Sequence, residues 1–165
     1  MGRCLAIVAV LAAVLTAAPA PSAIAATVPA PTGLAATATS AREVVLTWNP
    51  VDKAASYRVL WGVDPNEMAT LDHTTQTTYT HRFLAPGTTY VYAVQTVTRK
   101  GTLSAPSPVV TVTTPPEAPA GVEAEVIKAD EVRLTWSPAD GATSYAVSVV
   151  ADDGSETPAT ILAMG

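Results

Sequence analysis

The chain has 165 residues, with fourteen Asp and Glu against nine Lys and Arg and a net charge of −5. That balance, with no run of basic residues, excludes nucleic acid as a partner, because phosphate is repelled and nothing clusters to neutralise it. Only 14 % of residues are charged and 48 % are apolar, so a packed core is expected rather than disorder, and the length accommodates one or two small domains.

At the N-terminus Arg3 precedes Leu5 to Ala18, an unbroken run of apolar and small residues closed by Pro19. The run is too short for a bilayer span, and Ala23-Ile24-Ala25 supplies a small-residue cleavage site. Residues 1–26 therefore read as a secretory signal peptide, cut after Ala25 or Ala26. The mature protein is expected to be secreted, extracellular and free of any membrane segment after cleavage. The single cysteine, Cys4, falls in the removed part, so packing must stabilise the mature chain without disulfides. Losing Arg3 makes it slightly more acidic. An alanine-rich, cysteine-free exported chain is of a bacterial kind.

Residues 27–30 form a proline-rich lead-in, and Gly33 to Thr39 a weak first strand rich in Ala and Thr. After a polar turn, Val44, Leu46 and Trp48 alternate with other residues, the period-two signature of a half-buried strand. Pro50 to Ala54 is a loop, and Tyr57 to Gly62 a third strand with Tyr57, Val59 and Trp61 inward. Met68 to His73 predicts a short edge strand, and Thr77 to His81, β-branched and aromatic, a fifth. Pro86-Gly87 launches a long sixth strand with Tyr90, Tyr92 and Val94 on one face. The loop Thr98 to Ala105 leads to a last strand over Pro108 to Thr114. Seven short strands without helical periodicity predict an all-β sandwich.

These residues resemble a known family. Pro31 and Gly33 at the start, Leu46 and Trp48, Tyr57 and Val59, and Leu84-x-Pro86-Gly87-Thr88-x-Tyr90-x-Tyr92-x-Val94 are similar to the fibronectin type III pattern, covering residues 31–114 as one module. The resemblance implies an immunoglobulin-like sandwich in which Trp48 fills the core. It also implies that Tyr90 forms a tyrosine corner, its hydroxyl tied to upstream backbone.

Residues 115–118 form a proline-rich linker, which predicts an extended, semi-rigid spacer with the modules end to end. A second copy begins at Pro119: the Val44-to-Pro50 pattern returns as Val132-Arg133-Leu134-Thr135-Trp136-Ser137-Pro138, and Tyr145 matches Tyr57. Asp152-Asp153-Gly154 predicts a hairpin turn. Over residues 119–165 counterparts of Thr78 to Thr114 are missing, so this second module is expected to be a truncated sandwich, marginal alone, with Val132, Leu134, Trp136, Tyr145 and Val147 lacking cover.

Chemistry-bearing groups are sparse. His73 and His81 lie in no ligand spacing, so no metal site is expected. Asp72 and His73 are strand neighbours pointing to opposite faces, and no nucleophile elbow accompanies them. Asp130-Glu131 and Asp152-Asp153 flank turns, without the cleft that glycoside hydrolysis needs. Asp64-Pro65-Asn66-Glu67 lacks the glycine and ligand run of a calcium loop. Among modules of the family the Thr98 to Ala105 loop can carry an Arg-Gly-Asp tripeptide, but here it reads Arg99-Lys100-Gly101-Thr102. Trp61 could stack on a sugar only if exposed, and its alternation places it inward or near the sheet edge, with the core as the expected position.

No catalytic residue, cofactor-binding residue or cofactor is expected, and the chain reads as no enzyme. The expectation is a monomeric exported spacer or protein-interaction module pair, whose partner is an unidentified protein or polysaccharide. The alternatives are the accessory region of a secreted polysaccharide-degrading glycoside hydrolase, and a cell-surface adhesion module.

Overall fold

Alternating β-branched and aromatic residues, broken by Gly, Pro and Asp at the turns, form strands throughout the computed structural model, which describes residues 28–159. The expected signal peptide with Cys4, and the chain from residue 160 onward, lie outside the described residues. In the first unit β1 (Ala35–Ser40), β2 (Glu43–Thr47) and β5 (Thr78–Arg82) make one antiparallel sheet in the order β1-β2-β5. The second sheet has the order β4-β3-β6-β7, from β3 (Ser56–Gly62), β4 (Ala69–Thr74), β6 (Thr89–Val97) and β7 (Val110–Thr113). These seven strands are the expected immunoglobulin-like sandwich.

The core lies where the two alternations meet. Val44 and Leu46 of β2, Val59 of β3, and Tyr92 and Val94 of β6 are fully buried, with Trp48 and Tyr57 nearly so. Trp48 sits one residue beyond β2, its amide donating to the Thr77 carbonyl at 3.0 Å, and its ring meets Tyr57 edge to face at 5.4 Å. Such an aromatic pair adds to the burial of both rings. Gly33 holds φ +66°, a left-handed conformation that L side chains rarely adopt and glycine adopts freely.

β6 departs from the simple alternation, since Val91, Ala93 and Gln95 on its other face are buried as well. The cause is the segment before β7. Ser104 and Ser107 lie against β6, accepting from the Thr96 and Val94 amides at 2.9 and 3.0 Å through their hydroxyls. Their own amides donate back to the Thr96 and Val94 carbonyls at 3.0 and 2.9 Å. Pro106 and Pro108 have no amide to donate, so the regular ladder starts at Val110 rather than at the expected Pro108. Both ends of this unit are tied down: Thr96 Oγ1 donates to the Pro29 carbonyl at 2.8 Å, and the Gly87 amide to Pro115 at 3.2 Å.

Beyond the linker, β8 (Ala120–Lys128) pairs with β9 (Glu131–Ser137), and β10 (Ser148–Val150) pairs with β11 (Glu156–Pro158) across the turn at Asp152-Asp153-Gly154. The local design repeats. Ala124 opposes Leu134 as Ala36 opposes Leu46, and Val126 opposes Val132 as Ala38 opposes Val44. Trp136 meets Tyr145 at 5.4 Å, and the Tyr145 hydroxyl accepts from Ala139 at 2.7 Å where Tyr57 accepts from Val51 at 2.9 Å. The cover differs, however: Val44 and Leu46 have no exposure, whereas Val132 and Leu134 keep 57 % and 38 %.

Candidate functional site

The densest group of chemically able side chains lies between the sheets of the first unit. His81 projects from β5 onto Trp61 of β3 and Tyr90 and Tyr92 of β6, with ring centroids 4.9, 6.5 and 5.9 Å away. Its Nδ1 and the Tyr92 hydroxyl are paired at 2.9 Å. Burial lowers the His81 pKa below the ordinary imidazole value. Burial also pushes the Tyr92 phenol far up, helped by Tyr90 and Tyr79 beside it. Both groups are therefore neutral at physiological pH, each satisfying the other inside a packed wall. The arrangement suits a structural hydrogen bond. Trp61 is half-buried and packs on the core, as its alternation predicted, so its face is not an open platform for a sugar.

Tyr90 also closes the turn that launches β6. Its hydroxyl accepts the Ala85 amide at 2.9 Å, the tie to upstream backbone expected of it, while Thr114 Oγ1 donates to the Ala85 carbonyl at 2.8 Å.

The remaining candidates stay apart. Asp72 accepts the His73 amide at 2.7 Å through one oxygen and the Tyr79 hydroxyl at 3.2 Å through the other. Tyr79 is raised in pKa by burial and by this carboxylate. Asp64 accepts from the backbone and side-chain nitrogens of Asn66 at 2.8 and 3.1 Å, closing its own turn. Glu131 pairs with Lys128 at 2.8 Å, leaving Asp130 in the adjoining turn. Asp153 accepts the Ser155 amide at 2.9 Å, and the Ser155 hydroxyl together with this amide lowers its pKa. Among the described residues no three His, Cys, Asp or Glu side chains gather as a metal site would require. Arg99 and Lys100 are exposed at a loop tip closed by the Thr98 amide on Thr102 at 3.0 Å.

Two surface features escaped the strand pattern. Phe83 is 94 % exposed and holds φ +61°, a left-handed conformation that L side chains avoid. Arg42, in the β1–β2 turn, reaches Glu117 at 2.6 Å and Asp140 at 3.1 Å. Its partners are 75 and 98 residues away, a separation that no local spacing rule addresses. The exposed apolar face of β8 and β9 continues into a shallow groove of about 280 Å³ lined by Pro119, Val122, Leu134, Trp136, Tyr145 and Val147 among others.

Comparison with known proteins follows the same division of the chain. The family model described as fibronectin type III domain matches residues 29–113. No curated protein matches the chain. Similar solved structures include an Fn3-like protein from Clostridium thermocellum, 32 % identical, with a TM-score of 0.49 and 53 % of this chain aligned to 93 % of that one. The sixth fibronectin type III domain from human fibronectin type III domain containing protein 3 is 27 % identical, with a TM-score of 0.47 over 52 % of this chain and 83 % of that one. The FN5 domain of Drosophila Lar is 25 % identical, with a TM-score of 0.43 over 52 % and 94 %.

Proposed function

The chain belongs to the fibronectin type III family, and from that membership we propose that it works as an exported, non-catalytic spacer or protein-interaction scaffold. Domains of this family are typically non-catalytic modules of spacers, adhesion and interaction surfaces. The observation that carries the reading is the fate of the chemically able side chains. His81 and Tyr92 are neutral and bonded to each other in the core, with Trp61 and Tyr90 packed around them. Asp72 and Asp64 are engaged with neighbouring backbone or side-chain donors. Among the described residues no nucleophile, base and substrate space converge. Export is supported by Arg3, the apolar run to Ala18 and the Ala23-Ile24-Ala25 site.

Mature protein, incubated with chitin, cellulose and ester substrates, tests the reading. It should show no turnover and no retention on either polysaccharide. Turnover that disappears in His81→Gln or Asp72→Asn overturns the non-catalytic reading, and retention abolished by Trp61→Ala overturns the placement of Trp61 in the core. N-terminal sequencing of protein recovered from culture medium should begin at Ala26 or Thr27.

A further inference from the structure

The lower end of the first sandwich meets the second segment through contacts that a freely hinged linker would lack. The linker's first residue extends the β6–β7 pairing, the Gly87 amide donating to the Pro115 carbonyl at 3.2 Å. One residue beyond Pro116, the Glu117 amide donates to Asp140 of the 139–142 turn at 2.9 Å, so the linker also belongs to the second segment's backbone network. Arg42 closes the same corner from the opposite side: Nε donates to Glu117 Oε1 at 2.6 Å and Nη2 to Asp140 Oδ2 at 3.1 Å. Its own carbonyl accepts the Leu84 amide at 3.1 Å, which anchors the turn that carries it. Then the two units touch through glycine. A Cβ on Gly87 would stand 2.5 Å from the Gly141 carbonyl oxygen, and a Cβ on Gly141 would stand 2.6 Å from Pro86 backbone. Real Cβ atoms essentially never come this close, so glycine on both sides is what permits the approach.

We infer that Arg42, the Glu117–Asp140 turn and the Gly87–Gly141 contact form a locking joint that holds the second segment at one fixed angle to the first sandwich. Each ion pair alone is exposed and weak, with side-chain exposures of 49 % for Arg42, 38 % for Glu117 and 73 % for Asp140. The lock comes from combination. One guanidinium holds two carboxylates, two backbone hydrogen bonds fix the linker between them, and the glycine contact admits little rotation without a backbone clash. The joint deepens the spacer reading and rests on it for its purpose, since a spacer with a fixed elbow sets direction as well as distance.

The mature chain has no cysteine if the leader is removed, so spin labels can be placed cleanly at Thr111→Cys and Thr135→Cys, both exposed. Electron-electron double resonance on the full mature chain should then give one narrow distance distribution. Arg42→Glu should roughly double its width, as expected when the semi-rigid spacer is left to hold the angle without the joint. The triple reversal Arg42→Glu, Glu117→Arg, Asp140→Arg should narrow it again. Gly141→Ala should shift its centre. Amide exchange across β8 and β9 should be unchanged in all variants, separating a loosened joint from a melted segment. A broad distribution in the parent, or Arg42→Glu and Gly141→Ala distributions that match the parent in centre and width, overturns the joint. Neither result alters the turnover and retention assays, which test the spacer reading separately.

Discussion

The hydroxyl of Tyr92 and Nδ1 of His81 lie 2.9 Å apart between two sheets, and burial keeps both groups in the neutral form. The pair forms because β5 and β6 belong to different sheets whose inward faces meet, bringing a polar imidazole into an aromatic wall with a partner already in place.

This pair makes stability depend on pH. Burial holds folded His81 below its ordinary value of 6.5, so on acidification the unfolded chain takes up the proton first. The contribution should be complete above pH 6.5 and be lost as pH falls through the lowered folded value. Urea midpoints measured at a series of pH values should decline across that window. His81→Gln should flatten the decline, and an equally steep profile in that variant would remove His81 as its source.

Trp48→Ala should cost about 3–5 kcal/mol, because it leaves a cavity against Tyr57 in a closed core. The matching Trp136→Ala should cost much less, since the face it shares with Val132 and Leu134 is already open to water. Residue-resolved amide exchange reads the two effects separately. Equal losses at the two positions would mean that the second face is covered in solution.

Tyr90→Phe should destabilise the first unit by about 0.5–1.5 kcal/mol, the net worth of one hydrogen bond to a partly buried backbone donor. The orphaned donor is the Ala85 amide. Its exchange should accelerate in the variant ahead of the β2 amides, whereas uniform acceleration would indicate a general loss of packing.

Phe83→Gly should stabilise the first unit or leave it unchanged, the opposite of what removing a large apolar side chain usually does. Relief of the left-handed backbone is worth about 1–2 kcal/mol, offset in part by the greater freedom of an unfolded glycine. A side chain that is 94 % exposed gives up almost no burial. A lower urea midpoint would show that the ring packs on something in solution.

Local pattern made most of the first unit legible. Val44, Leu46 and Trp48 declared an inward face by alternation, Pro86-Gly87 declared a turn, and the family resemblance implied the tie of Tyr90 to backbone; the structure has all three. The limits are those of locality. Alternation along β6 names Tyr90, Tyr92 and Val94, but it is silent on Val91 and Ala93, whose burial depends on a segment more than ten residues later. His81 was legible as a strand residue and illegible as a core one, because its partners come from two strands of the opposite sheet. The joint at Arg42 was wholly hidden, since charge spacing identifies neighbours within a helix turn or strand pair, and these partners meet only after two units have folded. The second segment shows the converse. The same residues in the same register build the same hairpin and the same Trp–Tyr contact, yet do not bury Leu134, because burial is a property of the opposite sheet.

The two ties at the ends of the first unit also determine how it meets a pull. Pro29 is bonded to Thr96 near the far end of β6, and Pro115 to Gly87 just before its beginning. Tension applied between residues 29 and 115 therefore arrives at opposite ends of one central strand, itself laddered to β3 on one side and β7 on the other. The load then passes along the covalent backbone of β6, and the two tying hydrogen bonds, one at each end, are the points that yield first.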